Sequence, residues 1–385
     1  MRCTKAVIYS ENLRYNLQQI RNHVRPQTEI CVAVKADSYG HNAVLTAKLA
    51  RETGGINWFA VATVDEGIEL RENGITENIV VLSLCVPEEF PSLFKYNLIQ
   101  FCFGKEYIRD LSQTADSYFS DGKRQDVFLA VDTGMGRIGC YPEEAGDEAV
   151  LISNSSHLNL KGMATHFCVS DGTSFESQTF TYEQYQRFCK AVENVRQRGI
   201  DPGICSCGNS AAIMNNPEMH FDMVRPGIIT YGYYPDQITK EYLHSVHKDF
   251  DLKPVLALET KVVAIRHFPK GKSVSYGRTY FCDEDTDIAV LPIGYADGLL
   301  RRFSPGLEVT INGKKYPVCG RICMDQCMVN IGKNNLDVKL FDKVLIFGPK
   351  ESGALTTADD LAKIGNTISY EVLTSLSKRV RREVL

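Results

Sequence analysis

Val32-Ala33-Val34-Lys35-Ala36-Asp37-Ser38-Tyr39-Gly40-His41 ends an apolar run on a single lysine, and a Gly-His-Asn turn follows at once. A strand that is apolar along its length is one covered on both faces, as in a parallel sheet. Such a strand cannot hold an unpaired ammonium in its middle. Lys35 therefore stands at the strand's open mouth or is chemically engaged. Taken alone, a solvated or salt-bridged strand end is the commoner place for a lysine.

Working outward, a short strand near residues 5–9 precedes this run. Ser10 has the chemistry of a helix N-cap, and Leu13, Leu17, Ile20 and Val24 after it recur on one helical face. Apolar β-type runs then cover residues 30–36, 58–64, 79–84, 98–103, 127–132, 158–167, 203–209 and 221–225, with helix-length stretches between most of them. The clearest helix carries Tyr182, Tyr185, Phe188, Val192 and Val195 on one face and stops at Gly199. Eight such alternations predict a closed (β/α)8 barrel of the TIM type, with an open doubly wound sheet as the rival. The strand near residues 5–9 is then a ninth, left over for another sheet.

Beyond residue 253 the alternation stops. Runs at 255–268, 273–280, 288–293, 307–311, 327–331 and 344–347, with an Asn312-Gly313 hairpin signal, predict a mainly antiparallel β domain. Helices are expected at 358–364 and 369–379. The division is placed at 1–237 for the barrel and 238–385 for the β-rich domain.

The 385 residues and 44% hydrophobic content suffice for two cores. A net charge of −4 arises from interleaved signs, which gives no footprint for nucleic acid or an anionic membrane. Thirteen cysteines, an odd number, include Cys31, Cys85, Cys102 and Cys168 inside apolar runs, as free core thiols would be. The spacings of Cys205/Cys207 and of Cys319, Cys323 and Cys327 lack the matched CxxC pairs of a zinc site. No h-region opens the chain, and no apolar run reaches the roughly 18 residues of a membrane span. A reducing, cytoplasmic setting is expected.

Gly134, Gly136 and Gly139 formally match GxGxxG, but the acidic residue expected about twenty positions later is missing. Five polar residues of catalytic type instead sit at strand ends: Lys35, Arg137, His166, Ser210 beside Asn209, and Arg225. Each has a plain alternative as an ion pair, a core histidine or a helix cap. In a barrel, however, all such ends open on one face, where sites are built. Ser210 at a helix start, with the Gly227 and Ile228 amides, also suits a phosphate.

Together AVKADSYGH, VDTGMGRIG, ATHF, GNSAA, VRPGIITYG, VSYGRTY, LPIGYADG, GRICMDQ and TISYEVL resemble, in order and spacing, the alanine racemase family. The resemblance covers nearly the whole chain. It implies a barrel followed by a β domain, pyridoxal 5'-phosphate as cofactor, and interconversion of L- and D-alanine for cell-wall peptidoglycan. It implies that Lys35 forms the internal aldimine and acts as one base, and that Tyr276 of the partner subunit is the other, so that the sites are shared in a homodimer. Arg225 is implied to face the pyridine nitrogen, and His166 to link it to Tyr276. Tyr39, Ser210, Gly227, Ile228 and Tyr370 are implied as phosphate contacts, with Asn209 beside them. Arg137 is implied at the cofactor's phenolic oxygen and the substrate carboxylate, Met324 and Asp325 on the substrate side, and Tyr295 with Arg301 at the access corridor.

Two positions depart from the family pattern. Ala130 replaces a lysine that many members carbamylate to hold the arginine, which leaves Arg137 to a bound anion such as chloride or to a looser orientation. Cys207-Gly208-Asn209 also lacks the usual alanine before asparagine. The competing readings are a serine or broader-specificity racemase, a non-catalytic pyridoxal-phosphate carrier, a basic amino-acid decarboxylase and a nicotinamide dehydrogenase. A carrier would lack the β domain and Tyr276. A decarboxylase would show a Gly-rich phosphate loop.

Overall fold

The computed structural model describes residues 2–120 and 122–385. Strand β1 (Lys5–Ile8) is followed by eight parallel strands: β2 (Glu29–Ala33), β3 (Trp58–Val61), β4 (Asn78–Val81), β5 (Ile99–Cys102), β6 (Gln125–Ala130), β7 (Leu158–Ala164), β8 (Ile204–Gly208) and β9 (Met223–Val224). Pairing of β9 with β2 closes the ring, which decides for the barrel against the open sheet.

Side chains on a strand alternate between faces. Phe59, Val61, Val127 and Leu129 pack outward with the helices, whereas Trp58, Ala60, Phe128 and Ala130 share the interior cluster. That interior is graded in size. Trp58 meets Phe128 edge-on at 6.1 Å between ring centres, and Phe101 stacks on Phe128 at 5.8 Å. The aromatic plug is possible because position 162, opposite Phe128 in β7, is glycine: a Cβ there would lie 2.5 Å from the Phe128 ring and 2.3 Å from the Ile204 carbonyl oxygen. Two residues further along the strands stand Ala60, Ala130 and Ala164, with Ala33 paired to Ala60. Large residues below and alanines above leave space at the strands' C-terminal end.

The remaining strands are β10 (Leu256–Lys261), β11 (Ala264–Phe268), β12 (Ser273–Val274), β13 (Tyr280–Phe281), β14 (Thr286–Leu291), β15 (Glu308–Ile311), β16 (Lys314–Cys319), β17 (Cys327–Gly332), β18 (Lys343–Phe347) and β19 (Arg381–Val384). Nine strands form one sheet in the order β11-β14-β17-β16-β15-β18-β10-β1-β19, and β12 pairs only with β13. The leftover first strand does join this sheet, antiparallel to β10 and parallel to β19.

Several local expectations are corrected. The run at 255–268 is two strands, because the Val262 and Val263 amides turn to the Asp342 and Val290 carbonyls and carry the chain from one part of the sheet to another. The run at 273–280 is a small hairpin around Tyr276–Arg278, with positive φ at Ser275, Gly277 and Arg278. Ser10 is not an N-cap: the helix Ser10–His23 is preceded by Tyr9, and the Ser10 hydroxyl donates to the Leu385 carbonyl. In the helix Phe175–Gln197 the buried face runs through Thr181 and Gln184, leaving Tyr182 exposed. The last helix is Ser369–Thr374 and stops short of 379, where Ser375 turns its hydroxyl to the Val372 and Gly298 carbonyls. The Asn312-Gly313 signal does mark a hairpin, Ile311 pairing with Lys314, although its second strand β16 was not among the runs read from the sequence, and β19 had no counterpart there. The cysteines are free, and Cys31, Cys85 and Cys102 are buried, although Cys168 is only partly so. Among the described residues no helix is long and apolar enough to cross a membrane.

Candidate active site

Above the alanine layer lies a cavity of about 580 Å³. Lys35, Tyr39, Arg137, His166, Asn209, Ser210, Arg225, Gly227, Ile228 and Tyr370 all line it, as do Ala33, Ala60, Ala130 and Ala164. The strands end earlier than the apolar runs suggested. β2 stops at Ala33, β7 stops two residues before His166, and Arg225 directly follows β9.

Behind Lys35 the backbone is unusual. Ala36, Asp37, Ser38 and Tyr39 all have φ between 51° and 54°, a left-handed turn built from non-glycine residues. Each such residue costs on the order of 1–2 kcal/mol. The turn is held at many points. The Ala36 N–H donates to Glu66 Oε1 at 2.6 Å, and the Asp37 carbonyl and carboxylate accept the Asn42 and Ala43 amides. His41 Nδ1 lies 3.0 and 2.9 Å from the Ser38 and Tyr39 carbonyl oxygens. Gly40 has φ of 83° and so little room that a Cβ would sit 2.5 Å from the Leu373 carbonyl oxygen. Arg382 Nε, from β19, donates to the Gly40 carbonyl at 3.0 Å.

Cations dominate the cavity. Burial lowers the Lys35 amine below the ordinary lysine range; Arg137 and Arg225 push the same way, and Glu66 opposes them. Among the described residues Arg225 has no carboxylate partner; it donates to the Ser206 hydroxyl and, at 2.6 Å, to the Thr165 carbonyl. His166 Nδ1 lies 3.5 Å from Arg225 Nη2, and burial together with the Arg225, Arg137 and Lys35 charges pushes its pKa down to about 3. The ring is neutral, with Nδ1 facing the guanidinium as an acceptor. Arg137 is exposed and has no hydrogen bond or ion pair among the described residues.

At the other end of the cavity, burial pushes Tyr39 up to about 12 and Tyr370 upward as well, so both hydroxyls remain protonated donors. Asn209, not Ser210, caps the helix Ser210–Asn215, its side chain accepting the Ala212 amide. The Ser210 hydroxyl is thereby left to face the cavity, where it accepts the Gly227 amide at 2.9 Å. Asp171, Met135 and Thr374 also line the cavity; Met135 lies within VDTGMGRIG but was given no role, and no sequence motif covered Asp171 or Thr374.

Apart from Tyr370 and Thr374, the residues named from the β-rich domain lie elsewhere. Tyr276, Tyr295 and Arg301 line a second, open cavity of about 620 Å³ with Gly277, Arg321 and Ile322. Met324 is exposed, and Asp325 accepts from Arg379 at 2.7 Å. Within one chain, then, Lys35 and Tyr276 do not share a cavity.

The alanine racemase N-terminal domain profile matches residues 8–235, and the C-terminal domain profile matches residues 255–384. The alanine racemase of Treponema denticola is 45% identical over 384 residues, which cover 99% of this chain and 98% of that one. The alanine racemase of Clostridium difficile 630 superposes with a TM-score of 0.91 at 38% identity, covering 100% of this chain and 96% of the other. That of Bacillus anthracis, solved with bound L-Ala-P, gives 0.90 at 32% identity, with 100% and 95% covered. The chain belongs to the alanine racemase family. It is an isomerase with that family's barrel and β domain.

Alanine racemases are generally pyridoxal-phosphate enzymes, and the residues present fit that group. A Cβ at Gly227 would come within 2.8 Å of the Tyr39 hydroxyl oxygen, so glycine keeps an anion-sized cradle open between Tyr39 and Ser210. Two protonated tyrosines, a serine and backbone amides are a donor set for a phosphate. The GxGxxG match holds no nucleotide geometry: the Asp132 carboxylate accepts the Gly134 and Gly136 amides and closes the loop on itself.

His41, at the end of the left-handed turn, makes the fold acid-sensitive. It is fully buried, its Nδ1 is engaged with two carbonyls, and Nε2 has no partner. A second proton would go to that unpartnered atom, and burial pushes the pKa down from 6.5 to about 4. The unfolded chain takes up this proton first, so stability is complete above the unfolded value and is lost as pH falls toward the folded one. His41→Gln, compared by urea midpoints at neutral and acid pH, is expected to lose about 2–3 kcal/mol less than the parent.

Proposed function

We propose that this racemase-family chain interconverts L- and D-alanine with pyridoxal 5'-phosphate in sites shared between two copies, supplying D-alanine for peptidoglycan. The reading rests on one arrangement: a lysine of weakened basicity between two arginines, beside a cradle of protonated tyrosines, with the second base absent from the same cavity. Residues 1–237 are taken as the cofactor-binding barrel, apart from β1, and 238–385 as the β-rich domain.

Lys35 would carry the cofactor, with Tyr39, Ser210, Gly227, Ile228 and Tyr370 around its phosphate, the Gly227 amide holding the Ser210 hydroxyl in place and Asn209 capping the helix that Ser210 begins. When bound, the cofactor supplies an electron sink that makes the α-hydrogen of an amino acid removable. Inversion at Cα requires proton removal on one face and return on the other. A lysine Nζ of lowered pKa is suited to take or give that proton on its face. Tyr276 of the partner subunit serves the opposite face, the exposed position of Tyr276 leaving it open to a second copy. Arg225 carries donors only, so a nitrogen facing it stays unprotonated. Neutral His166 relays orientation between Arg225 and Tyr276 without adding charge.

Arg137 is placed to orient the substrate carboxylate, Met324 and Asp325 of the partner to bound the side-chain space, and Tyr295 with Arg301 to form the approach. Alanine is favoured by the name of every relative described above, and serine, larger by one oxygen, is the relevant competitor. The deciding assay is turnover of L-alanine and L-serine by the purified protein, reading the D-isomers. Faster serine turnover would overturn the alanine assignment.

Mixing inactive Lys35→Ala and Tyr276→Phe proteins is expected to restore activity, since one site of each heterodimer then carries neither change. No recovery after demonstrated subunit exchange would place both bases in one chain.

Ala130, buried at the cavity floor, offers Arg137 no charge to hold its fork. A small anion, chloride by size, is proposed to pair with it, because charge-assisted partners aim a guanidinium best. Activity should then depend on halide at constant ionic strength, and Ala130→Lys with bicarbonate should weaken that dependence. Full activity in halide-free buffer, with no anion density beside Arg137, would leave orientation to protein groups alone.

A further inference from the structure

The residue after Lys35 is tied to a carboxylate outside the motifs that carry the family resemblance. The Ala36 N–H donates to Glu66 Oε1 at 2.6 Å, and Glu66 Oε2 accepts the Ala62 amide at 2.7 Å and the Thr63 amide at 3.4 Å. Glu66 is itself fixed as the third residue of the helix Val64–Glu72, its own amide donating to the Thr63 hydroxyl at 3.3 Å in a capping box. One carboxylate thus joins the end of β3, the start of a helix and the first residue of the left-handed turn. Its charge matters too. Arg137 follows β6, Arg225 follows β9 and neutral His166 follows β7; among the described residues Glu66 is the carboxylate that opposes the two arginines at the Lys35 amine.

We propose that Glu66 is a positioning residue for Lys35: its carboxylate anchors, through the Ala36 amide, the turn that aims the amine, and sets a negative charge against the two guanidinium groups of the cavity. The proposal rests on Lys35 being the cofactor-bearing lysine. Nothing about Glu66 requires contact with substrate. It acts through the backbone and through the field.

Two substitutions separate these parts. Glu66→Gln removes the charge and one of two acceptor oxygens. Glu66→Asp keeps the charge on a stem too short to bridge both sets of amides. In the full-length chain purified without cofactor, acetic anhydride labelling of Lys35 across a pH series, read by peptide mass mapping, reports the amine's apparent pKa. Glu66→Gln is expected to lower it by about one unit, as loss of a nearby opposite charge does. In the loaded enzyme kcat is expected to fall roughly tenfold, the scale of one charge-assisted hydrogen bond, with KM for alanine little changed. Glu66→Asp should keep the parent's labelling profile while kcat still falls.

An unmoved Lys35 titration in Glu66→Gln, even with a lower melting temperature, would reduce Glu66 to a helix cap and overturn the proposal. Parent-like kcat in both variants would overturn it as well. Borohydride reduction and peptide mapping of the parent distinguish the two levels. Cofactor on another lysine defeats the site reading, and this proposal with it. Cofactor on Lys35 with an unmoved titration defeats the proposal alone.

Discussion

Four left-handed residues directly behind Lys35 are the constraint on which the site depends. At about 1–2 kcal/mol each, the turn holds only because its surroundings over-determine it. Its amides and carbonyls are taken up by Glu66, by Asn42 and Ala43, by the His41 ring and by Arg382. A right-handed turn would carry the Tyr39 side chain elsewhere. With positive φ it is buried against Tyr231, ring centres 4.9 Å apart, and the Tyr231 hydroxyl donates to the last residue of β2 at 2.7 Å. The lysine is therefore aimed from both sides: by the strand that ends before it and by the strained turn that follows it.

This arrangement draws the two ends of the chain into the barrel's chemistry. Arg382 donates to the carbonyls of Gly40, Leu376, Ser377 and Val380, a set of neutral acceptors that satisfies a largely desolvated guanidinium. It can reach Gly40 because β19 lies parallel to β1, and that pairing is reinforced by Lys5, which contacts Glu383 and Glu259 across three adjacent strands. Such partly solvated ion pairs contribute little stability individually. Their role is register: a slip of one residue in β19 would turn Arg382 to the opposite face. The sheet formed by the C-terminal half thus supports a residue near the beginning of the chain.

Much of this was legible in the sequence because it is periodic or chemically loud. All eight barrel strands were visible as apolar runs, since strands buried on both faces carry few polar residues, and those they do carry, such as Gln100 in β5 and Ser206 in β8, are isolated between apolar neighbours. The cavity residues were visible because Lys35, Arg137, His166, Ser210 and Arg225, each ordinary alone, all fall after strands whose ends a barrel opens on one face. Other features had no such signal. The strand Lys314–Cys319 begins with two exposed lysines and contains a proline, so its pattern is weak, and Arg381–Val384 is a short polar edge strand recruited by β1. Val262 and Val263 look like strand continuation, and only the tertiary partners of their amides reveal a crossover. Glu66 was invisible because a capping-box glutamate has an ordinary local explanation. Its second oxygen acts at a distance of thirty residues. The left-handed turn was hidden for the opposite reason, since Ala-Asp-Ser-Tyr contains no glycine to announce positive φ.

The distribution of protons in the cavity follows from the same packing. Burial depresses bases and raises acids, so Lys35 and His166 shift toward neutrality while Tyr39 and Tyr370 hold their protons. What remains charged at the centre is Arg225, whose guanidinium does not deprotonate in proteins. Removing one partner from a buried ion pair is costly because it strands a charge; among the described residues the desolvated Arg225 has no ionic partner and relies on Ser206 and Thr165, while Arg137, without one as well, is open to solvent. A cavity rich in donors and guanidinium groups, with Asp171 as the carboxylate in its lining, suits anionic ligands: under the proposed function a phosphate at the tyrosine end and a carboxylate at the arginine end would each supply negative charge. Any carboxylate added by the protein to relieve the arginines would compete with those ligands. Glu66 avoids that conflict because both its oxygens are occupied by backbone amides, so its charge reaches Lys35 while its hydrogen bonds stay with the turn.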